Sequence, residues 1–366
     1  MYIYYHEEKQ RLFLTFNSVI SLLEMRAENR DKILTHERPV VAMVYHQSHR
    51  QVFTGSQEGN VAVWLVDTGQ RLKQFYQMHG TEVELTALKV DNVGNRFFTG
   101  GTDGFIREWD LNGHCYHQFH CGAGGSAEVG DIMILKRAIV AAGWAKFITV
   151  FRENDMKAYQ VEPSEWKGGQ EHLDDIVVFA TSKSNPNLLV TGSCDGEIIV
   201  WNANTETTLR KLSDRSRLRT RDRSRRSTVV SLPSRRSRAG AQSRFAASMA
   251  GNADDDFSFT IVKIVFLDTR RSGEYGVANL LSCGGAGYVR GWNTGNGTLV
   301  GEFVAHVGAS SITMGIEPTA NEILATADIE GTVKIWNISN YCSSSVLGRE
   351  INSETPRMLS LNSILS

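Results

Sequence analysis

Short apolar segments alternate with turn residues along most of the chain. In the stretch 191–202, Ile198 and Val200 alternate with their neighbours at a period of two, as a strand requires. The pair Asp195-Gly196 directly before them supplies a tight turn. Groups of such segments recur, for example at 40–45, 51–54, 61–64 and 70–75. The pattern predicts an all-β fold built from many short strands.

A fixed spacing of polar and aromatic residues repeats with these groups. A Thr or Ser stands ten residues before a Trp, and an acidic residue usually stands six before it. Four sets fit: Thr54, Glu58, Trp64; Thr99, Asp103, Trp109; Thr191, Asp195, Trp201; and Thr326, Glu330, Trp336. Ser282, Ala286 and Trp292 form a fifth set without the acid, and Ala141, Ala145 and Phe151 form a weak sixth. The spacing indicates an internal repeat.

The repeat period and its motif words identify a family resemblance. Repeats of roughly 40–45 residues end in a characteristic dipeptide: Trp109-Asp110, Trp201-Asn202, Trp292-Asn293 and Trp336-Asn337. The sequence therefore resembles the WD40-repeat family, in which each repeat forms one four-stranded blade of a β-propeller. Residues 1–346 are expected to form a single propeller, and seven four-stranded blades fit the length best. Residues 1–36 would form an incomplete first blade. The alternative is a propeller of six blades with an additional hairpin.

The resemblance also implies a buried hydrogen-bonded chain in each blade, made by a His, a Ser or Thr, an Asp and a Trp. A hydroxyl both donates and accepts, so it can join the indole N–H to the imidazole, whose tautomer the acid then fixes. The implied tetrads are His79, Thr99, Asp103, Trp109; His172, Thr191, Asp195, Trp201; His36, Thr54, Glu58, Trp64; and His306, Thr326, Glu330, Trp336.

These His, Thr and Asp residues superficially match a hydrolase triad, but a triad occurs once and this set recurs with a Trp attached. The sequence contains no Gly-x-Ser-x-Gly, no P-loop and no Gly-x-Gly-x-x-Gly after a strand. The stretch 114–121 is rich in His and Cys but matches no zinc spacing, and an exposed outer strand is the expected structure. We expect no catalytic activity, no cofactor and no metal site.

Composition narrows the class of protein further. Apolar residues make up 41% and the formal net charge is −1, which is typical of a globular protein without an evident nucleic-acid or membrane partner. Five cysteines, an odd number, favour free thiols in a reducing compartment. The N-terminus lacks signal-peptide features, and no apolar run approaches 18 residues. The expectation is a soluble protein of the cytoplasm or cytoskeleton.

Residues 213–256 interrupt the repeats. Eleven arginines lie between 215 and 244, interleaved with serine and without hydrophobic periodicity. We expect a disordered insertion between two blades. Ser227, Thr228 and Ser237 follow arginine pairs and are candidate phosphorylation sites. The segment is suited to acidic partners such as tubulin tails, or to RNA; residues 347–366 are expected to be a polar C-terminal tail.

A few short sequence stretches resemble one subfamily in particular. The order Gly143-Trp144, then Ile148-Thr149-Val150-Phe151, then Asp195-Gly196-Glu197-Ile198, looks like the ciliary and flagellar WD-repeat proteins related to the WD repeat-containing protein on Y chromosome, in their C-terminal propeller. That resemblance implies a non-catalytic scaffold of the axoneme, with tubulin or axonemal proteins as partners. No Asp-x-Asp-x-Asp-Gly loop is present, so calcium binding is not carried over. The alternatives are a cytosolic adaptor in a signalling or ubiquitin-ligase complex, and an RNA-associated scaffold.

Overall fold

The computed structural model describes residues 36–91, 93, 95–122, 128–136, 138–143, 145–152, 163–169, 171–212, 260–309, 311–343, 352 and 354–359, and the backbone of 2–6, 11–16 and 19–24. The Arg/Ser-rich segment, with Ser227, Thr228 and Ser237, lies outside these ranges. In the described part every element is a strand and no helix occurs. The fold is an all-β propeller, as expected.

Six four-stranded antiparallel sheets, here called blades 1 to 6, follow one another in chain order. Their alternating segments pair as simple meanders, because neighbouring strands are joined by short turns. Blade 1 contains β4 (Val40–His46), β5 (Gln51–Ser56), β6 (Val61–Leu65) and β7 (Arg71–Phe75). Blade 2 contains β8 (Leu85–Asp91), β9 (Arg96–Gly101), β10 (Phe105–Asp110) and β11 (Cys115–His120). Blade 3 contains β12 (Asp131–Leu135), β13 (Ala138–Ala142), β14 (Thr149–Arg152) and β15 (Ser164–Glu165).

The last three blades repeat this order. Blade 4 contains β16 (Ile176–Thr181), β17 (Leu188–Ser193), β18 (Ile198–Asn202) and β19 (Thr207–Leu212). Blade 5 contains β20 (Ile261–Phe266), β21 (Leu280–Gly284), β22 (Tyr288–Asn293) and β23 (Thr298–Val304). Blade 6 contains β24 (Ile312–Ile316), β25 (Ile323–Asp328), β26 (Val333–Asn337) and β27 (Arg357–Leu359).

The prediction of seven four-stranded blades was wrong, since the described residues form six. The N-terminal copy pairs as a separate sheet of only three strands, β1 (Tyr2–His6), β2 (Arg11–Phe16) and β3 (Val19–Glu24). Its sequence has no motif Trp, and no described strand pairs with the free side of β3. Within the described residues this copy therefore lacks an outer strand, and its sequence lacks a motif Trp.

The predicted tail boundary also needs correction. Residues 357–359 form β27 and pair with β26, so that Met358 lies opposite Trp336. Upstream of this strand, Asn352 joins blade 5: its N–H donates to Val300 O at 3.0 Å, and its carbonyl accepts the Glu302 N–H at 2.9 Å. A segment that appears polar by sequence can supply an outer strand, because the outermost strand is the least buried of the four. Part of 347–366 therefore belongs to the propeller.

Among the described residues, the core consists of five apolar clusters, one between each pair of consecutive blades. Clusters join blades 1 and 2, 2 and 3, 3 and 4, 4 and 5, and 5 and 6. The inner strands contact one another in the same order, from β4 through β8, β12, β16 and β20 to β24. Among the described strands, β24 and β4 make no extensive contact with each other. Within the described residues, the ring of blades is therefore open between blade 6 and blade 1.

Side chains at equivalent positions show this opening directly. On each inner strand one residue lies opposite the motif position of the second strand. In blade 1 this residue is Met43, which is 73% exposed. In the other blades it is at most 5% exposed: Leu88, Ile132, Phe179, Ile264 and Met314. Met43 is exposed because no described blade packs on that face of blade 1.

The opposite side of the opening behaves in the same way. Val333, three residues before Trp336, is 63% exposed. The residues at the same place in the other blades are at most 1% exposed: Val61, Ile106, Ile148, Ile198 and Val289. These residues pack against the following blade, and blade 6 has no described blade after it.

Leu88→Ala and Met43→Ala form a matched pair, because both residues lie opposite a motif threonine. Leu88→Ala should lower the free energy of unfolding by about 2–5 kcal/mol, since it leaves a cavity between two blades. Met43→Ala should change it by less than about 0.5 kcal/mol. Urea denaturation of the full chain measures both values. An equal cost at the two positions would mean that the face of blade 1 is covered, and would contradict the open ring.

Candidate functional site

Blade 2 brings its four predicted tetrad residues together. Trp109 Nε1 donates to Thr99 Oγ1 at 2.8 Å, and His79 Nε2 lies 2.8 Å from the same oxygen. His79 Nδ1 lies 3.1 Å from Asp103 Oδ1. Thr99 is fully buried, so its hydroxyl joins the two rings inside the blade, where hydrogen bonds are stronger than in water. The arrangement links the second and third strands of the blade to the segment that precedes its first strand.

Blade 4 forms the same chain with a different acid. Trp201 Nε1 donates to Thr191 Oγ1 at 2.9 Å, and His172 Nε2 lies 2.6 Å from that oxygen. Glu197 Oε2 lies 3.2 Å from His172 Nδ1, within ion-pair distance but without hydrogen-bond geometry. Asp195, the predicted acid, instead accepts the Ser193 hydroxyl at 2.6 Å. The assignment of Asp195 to the histidine is therefore corrected to Glu197.

Blade 6 requires a similar correction. Trp336 Nε1 donates to Thr326 Oγ1 at 2.9 Å, and His306 Nε2 lies 2.8 Å from it. The acid at His306 Nδ1 is Asp328, at 2.9 Å. Glu330, the predicted acid, is exposed and contributes its backbone N–H to Asp328. The turn places its first acid, not the later one, next to the histidine.

Blade 1 lacks the acid contact. His36 Nε2 lies 2.9 Å from Thr54 Oγ1, and Trp64 Nε1 donates to the same oxygen at 2.8 Å. Glu58 accepts a bond from Asn60 Nδ2 at 2.7 Å, and His36 Nδ1 is buried without a hydrogen-bond partner. Burial lowers the pKa of His36, and the nearby Glu58 charge only partly offsets it. His36 is therefore held as a neutral ring.

Blades 3 and 5 retain only part of this hydrogen-bonded set of side chains. In blade 5, Trp292 Nε1 donates to Ser282 Oγ at 2.8 Å. In blade 3, Phe151 fills the tryptophan position and is fully buried, opposite Ile139 in the neighbouring strand. A phenyl ring needs no polar partner, so the loss of the Thr and Asp positions leaves no buried donor unsatisfied there.

The stretch 114–121 forms the outer strand β11, in which Cys115, Tyr116, His117 and Gln118 are exposed. His114 Nδ1 lies 3.0 Å from Asp110 Oδ2 at the turn before it. All five cysteines carry free thiols. Within the described ranges, no group of three or more His, Cys, Asp or Glu side chains is arranged to hold a metal ion.

A polar cleft of about 370 Å³ lies between blades 4 and 5, where the loops after β16 and β20 meet. Asp268 accepts hydroxyl bonds there from Ser182 at 2.6 Å and Ser184 at 3.1 Å. Arg270 donates to the carbonyls of Ile338 at 2.6 Å and Tyr341 at 2.7 Å. These bonds fix the loop that carries the exposed Arg271 on the cleft wall.

The two faces of the ring opening are candidate protein-binding surfaces. The blade 1 flank consists of Met43 and Tyr45 on β4, and the blade 6 flank consists of Val333 and Ile335 on β26. Met43, Tyr45 and Val333 are exposed and apolar. Exposed apolar patches on a rigid protein commonly mark interaction sites. The sequence did not reveal these flanks, because their residues follow the same pattern as buried ones in other blades.

Comparison with known proteins agrees with the blade geometry. The profile of the family described as "WD domain, G-beta repeat" matches residues 29–64, 70–110 and 170–202, which include the motif residues of blades 1, 2 and 4. These three segments are WD40 repeats, and the described residues around them form a β-propeller. The ranges that the structure describes contain no helix that could span a membrane.

Similar WD40-repeat proteins are known from fruit flies. The propeller is 26% identical to the "WD repeat-containing protein on Y chromosome" of Drosophila mojavensis, over 93% of this chain and 29% of the relative. It is 25% identical to the protein of that name in Drosophila ananassae, over 93% of this chain and 34% of the relative. The chain thus spans about a third of the length of the curated relatives it matches.

Thr191→Val should destabilise this propeller, with Thr208→Val as its control. Without the Thr191 hydroxyl, Trp201 N–H and His172 Nε2 are left buried and unpaired, at about 1–3 kcal/mol for each group. Thr208 lies opposite Trp201 in the ladder, and its hydroxyl is buried without a partner, so its removal should be neutral or slightly stabilising. Guanidinium denaturation distinguishes the two. Similar costs would show that the hydroxyl relay does not stabilise the blade.

Asp103→Asn should reduce the loss of folding stability that occurs as the pH falls. Burial alone would raise the pKa of Asp103, but the bonds and charge of His79, the Phe105 N–H and the Arg107 charge bring it below its ordinary value of 3.8. Its stabilising contribution is therefore complete above pH 3.8 and is lost as pH falls through the lower folded pKa. The free energy of unfolding, measured by urea titration at several acid pH values, should decline less steeply in the variant. Identical slopes would refute the effect.

Proposed function

We propose that this chain is a non-catalytic scaffold that holds other proteins at the two flanks of its open ring. The observation that carries the proposal is the exposure of Met43 and Val333, at positions that are buried in every other blade. An apolar face that is shaped to pack against a neighbouring sheet gains free energy when another sheet or an apolar segment covers it, at about 25 cal/mol per Å² of apolar surface. The flanks therefore suit a partner with an apolar β-sheet face.

Rigidity supports this function. The relays in blades 2, 4 and 6 and the five apolar clusters fix the blades relative to one another. Preorganised surfaces bind with less loss of conformational entropy than flexible ones do. The polar cleft between blades 4 and 5 offers a further contact at the loops, with Arg271 exposed for an acidic group. The propeller thus presents apolar and polar surfaces at separate places.

The narrower proposal is that the scaffold belongs to the axoneme of cilia or flagella and binds tubulin or other axonemal proteins. This proposal is supported by the resemblance of residues 143–151 and 191–202 to the ciliary and flagellar WD-repeat proteins. The similarity to the WD repeat-containing proteins on Y chromosome over 93% of this chain agrees with that subfamily. The relatives are about three times as long as this chain. The axonemal partners are therefore proposed for this chain and do not follow from the similarity.

The test is extraction of axonemes from ciliated cells that express the tagged chain. Wild type should stay with the axoneme through detergent and leave only at high salt. Met43→Lys combined with Val333→Lys should leave at the detergent step, because two charges now occupy the apolar flanks. Leu173→Lys is the control, since Leu173 is equally apolar and 65% exposed but lies outside the flanks.

The outcomes separate the broad proposal from the narrow one. Loss of wild type at the detergent step, or diffuse cytosolic signal without cilia, would refute the axonemal proposal and favour a cytosolic adaptor. Retention of the double variant to the same extent as wild type would refute the role of the flanks.

A further inference from the structure

The polar cleft between blades 4 and 5 is a separate surface of the propeller. Its walls are the loop after β16 and the loop after β20, and it has a volume of about 370 Å³. Pockets of roughly 300–1,000 Å³ enclose small ligands, so the cleft holds a few side chains and not a folded domain. Because the strands of a blade alternate in direction, these loops lie at the opposite end of the blades from the turns beside the relay histidines.

The acid in this cleft is committed to the protein itself. Among the described residues that line the cleft, the only acid is Asp268. Its Oδ1 accepts the hydroxyl hydrogens of Ser182 at 2.6 Å and Ser184 at 3.1 Å, and the Ser184 N–H at 3.3 Å. Burial alone would raise the pKa of Asp268, but these bonds and the Lys183 N–H lower it below its ordinary value of 3.8. The carboxylate therefore joins the two loops and fixes the walls before a ligand arrives.

The cleft leaves positive charge and hydrogen-bond donors free. Arg271 is exposed, and no described residue makes a hydrogen bond or an ion pair with it. Asn185 Oδ1 accepts the Asn187 N–H at 3.2 Å, whereas the Asn185 Nδ2 donor has no partner in the described ranges. Arg270 donates to backbone carbonyls, which carry no full charge. Two arginines and one aspartate give the lining a formal charge of +1.

We propose that this cleft binds an acidic, extended segment of a partner protein and holds one of its carboxylates on Arg271. A planar guanidinium can bind a carboxylate through two parallel hydrogen bonds, and Asn185 offers a further donor on the other wall. A net charge of +1 matches one carboxylate better than a phosphate group, which carries nearly two negative charges. Leu188 and Phe266 give the wall an apolar part for the methylene groups beside the carboxylate.

This inference rests on the proposed scaffold function, and it adds a second docking surface with a defined partner chemistry. The flanks lie on blades 1 and 6 and suit an apolar sheet face, whereas the cleft lies between blades 4 and 5 and suits an acidic peptide. The two surfaces can therefore be tested independently of each other.

The test is hydrogen exchange of the full chain, followed by mass spectrometry, with hexaglutamate as the probe and hexaglutamine as the reference. Residues 182–188 and 267–276 should exchange more slowly as hexaglutamate is added, because the bound peptide covers both loops. Hexaglutamine should leave them unchanged. The readout is specific to the cleft, so binding of the probe elsewhere, for example to the arginines between 215 and 244, does not contribute to it.

Two variants change opposite walls of the cleft. Arg271→Gln removes the free guanidinium, and Asn185→Asp adds a negative charge. Each should raise the hexaglutamate concentration for half-maximal protection by about ten-fold or more, the loss expected for a charge-assisted hydrogen bond. Arg357→Gln, which removes an exposed arginine on β27, should respond as wild type does. Met43→Lys combined with Val333→Lys should also keep the response.

Each result decides the proposal. Protection of both loops that the two cleft variants weaken supports it. No protection by hexaglutamate in wild type, or undiminished protection in Arg271→Gln, would overturn it. Equal protection by sodium phosphate at matched ionic strength would also overturn it, because the cleft would then be a general anion site. The axoneme extraction of the flank variants is a separate measurement, so failure of the cleft and failure of the scaffold function can be told apart.

Discussion

The structure depends on one hydrogen bond that recurs from blade to blade, the donation of a tryptophan N–H to a threonine or serine hydroxyl. It measures 2.8–2.9 Å in blades 1, 2, 4, 5 and 6. The Trp and the hydroxyl lie on the third and second strands, so the bond holds these strands in one register. In blades 1, 2, 4 and 6 a histidine from the preceding segment joins the same oxygen. One hydroxyl thus ties the blade to its entry segment.

A second constraint follows from where the indole packs. Trp109, Trp201, Trp292 and Trp336 are buried in the cluster shared with the preceding blade. Trp64 is only half-buried, since no described blade precedes blade 1. Blades also approach closely next to the relay: a Cβ at Gly192, directly after Thr191, would lie 2.8 Å from Ile261 Cγ2. Each blade is therefore completed by its neighbour, and an interruption exposes two apolar faces at once.

The sequence predicted the strands and the Thr–Trp pairs because both depend on local spacing. It predicted the acid correctly in blade 2, where Asp103 contacts His79, but not in blades 4 and 6. The predicted acid stands six residues before the Trp, yet Glu197 stands four before Trp201 and Asp328 stands eight before Trp336. A turn with several acids can place any of them next to the ring. Asp328 contacts the histidine and also accepts backbone N–H groups, whereas Asp195 accepts the Ser193 hydroxyl and the Glu197 N–H. The open flanks were also beyond prediction, because exposure there depends on the lack of a neighbouring blade among the described residues and not on residue type.

The most direct measurement of the open ring is oxidative footprinting of two methionines in the unmodified chain. Met43 and Met314 lie at the same register, opposite Thr54 and Thr326, and are 73% and 5% exposed. Hydroxyl-radical labelling followed by mass spectrometry should oxidise Met43 many times faster than Met314. Equal protection of the two methionines would show that blade 1 is covered like every other blade and would contradict this account.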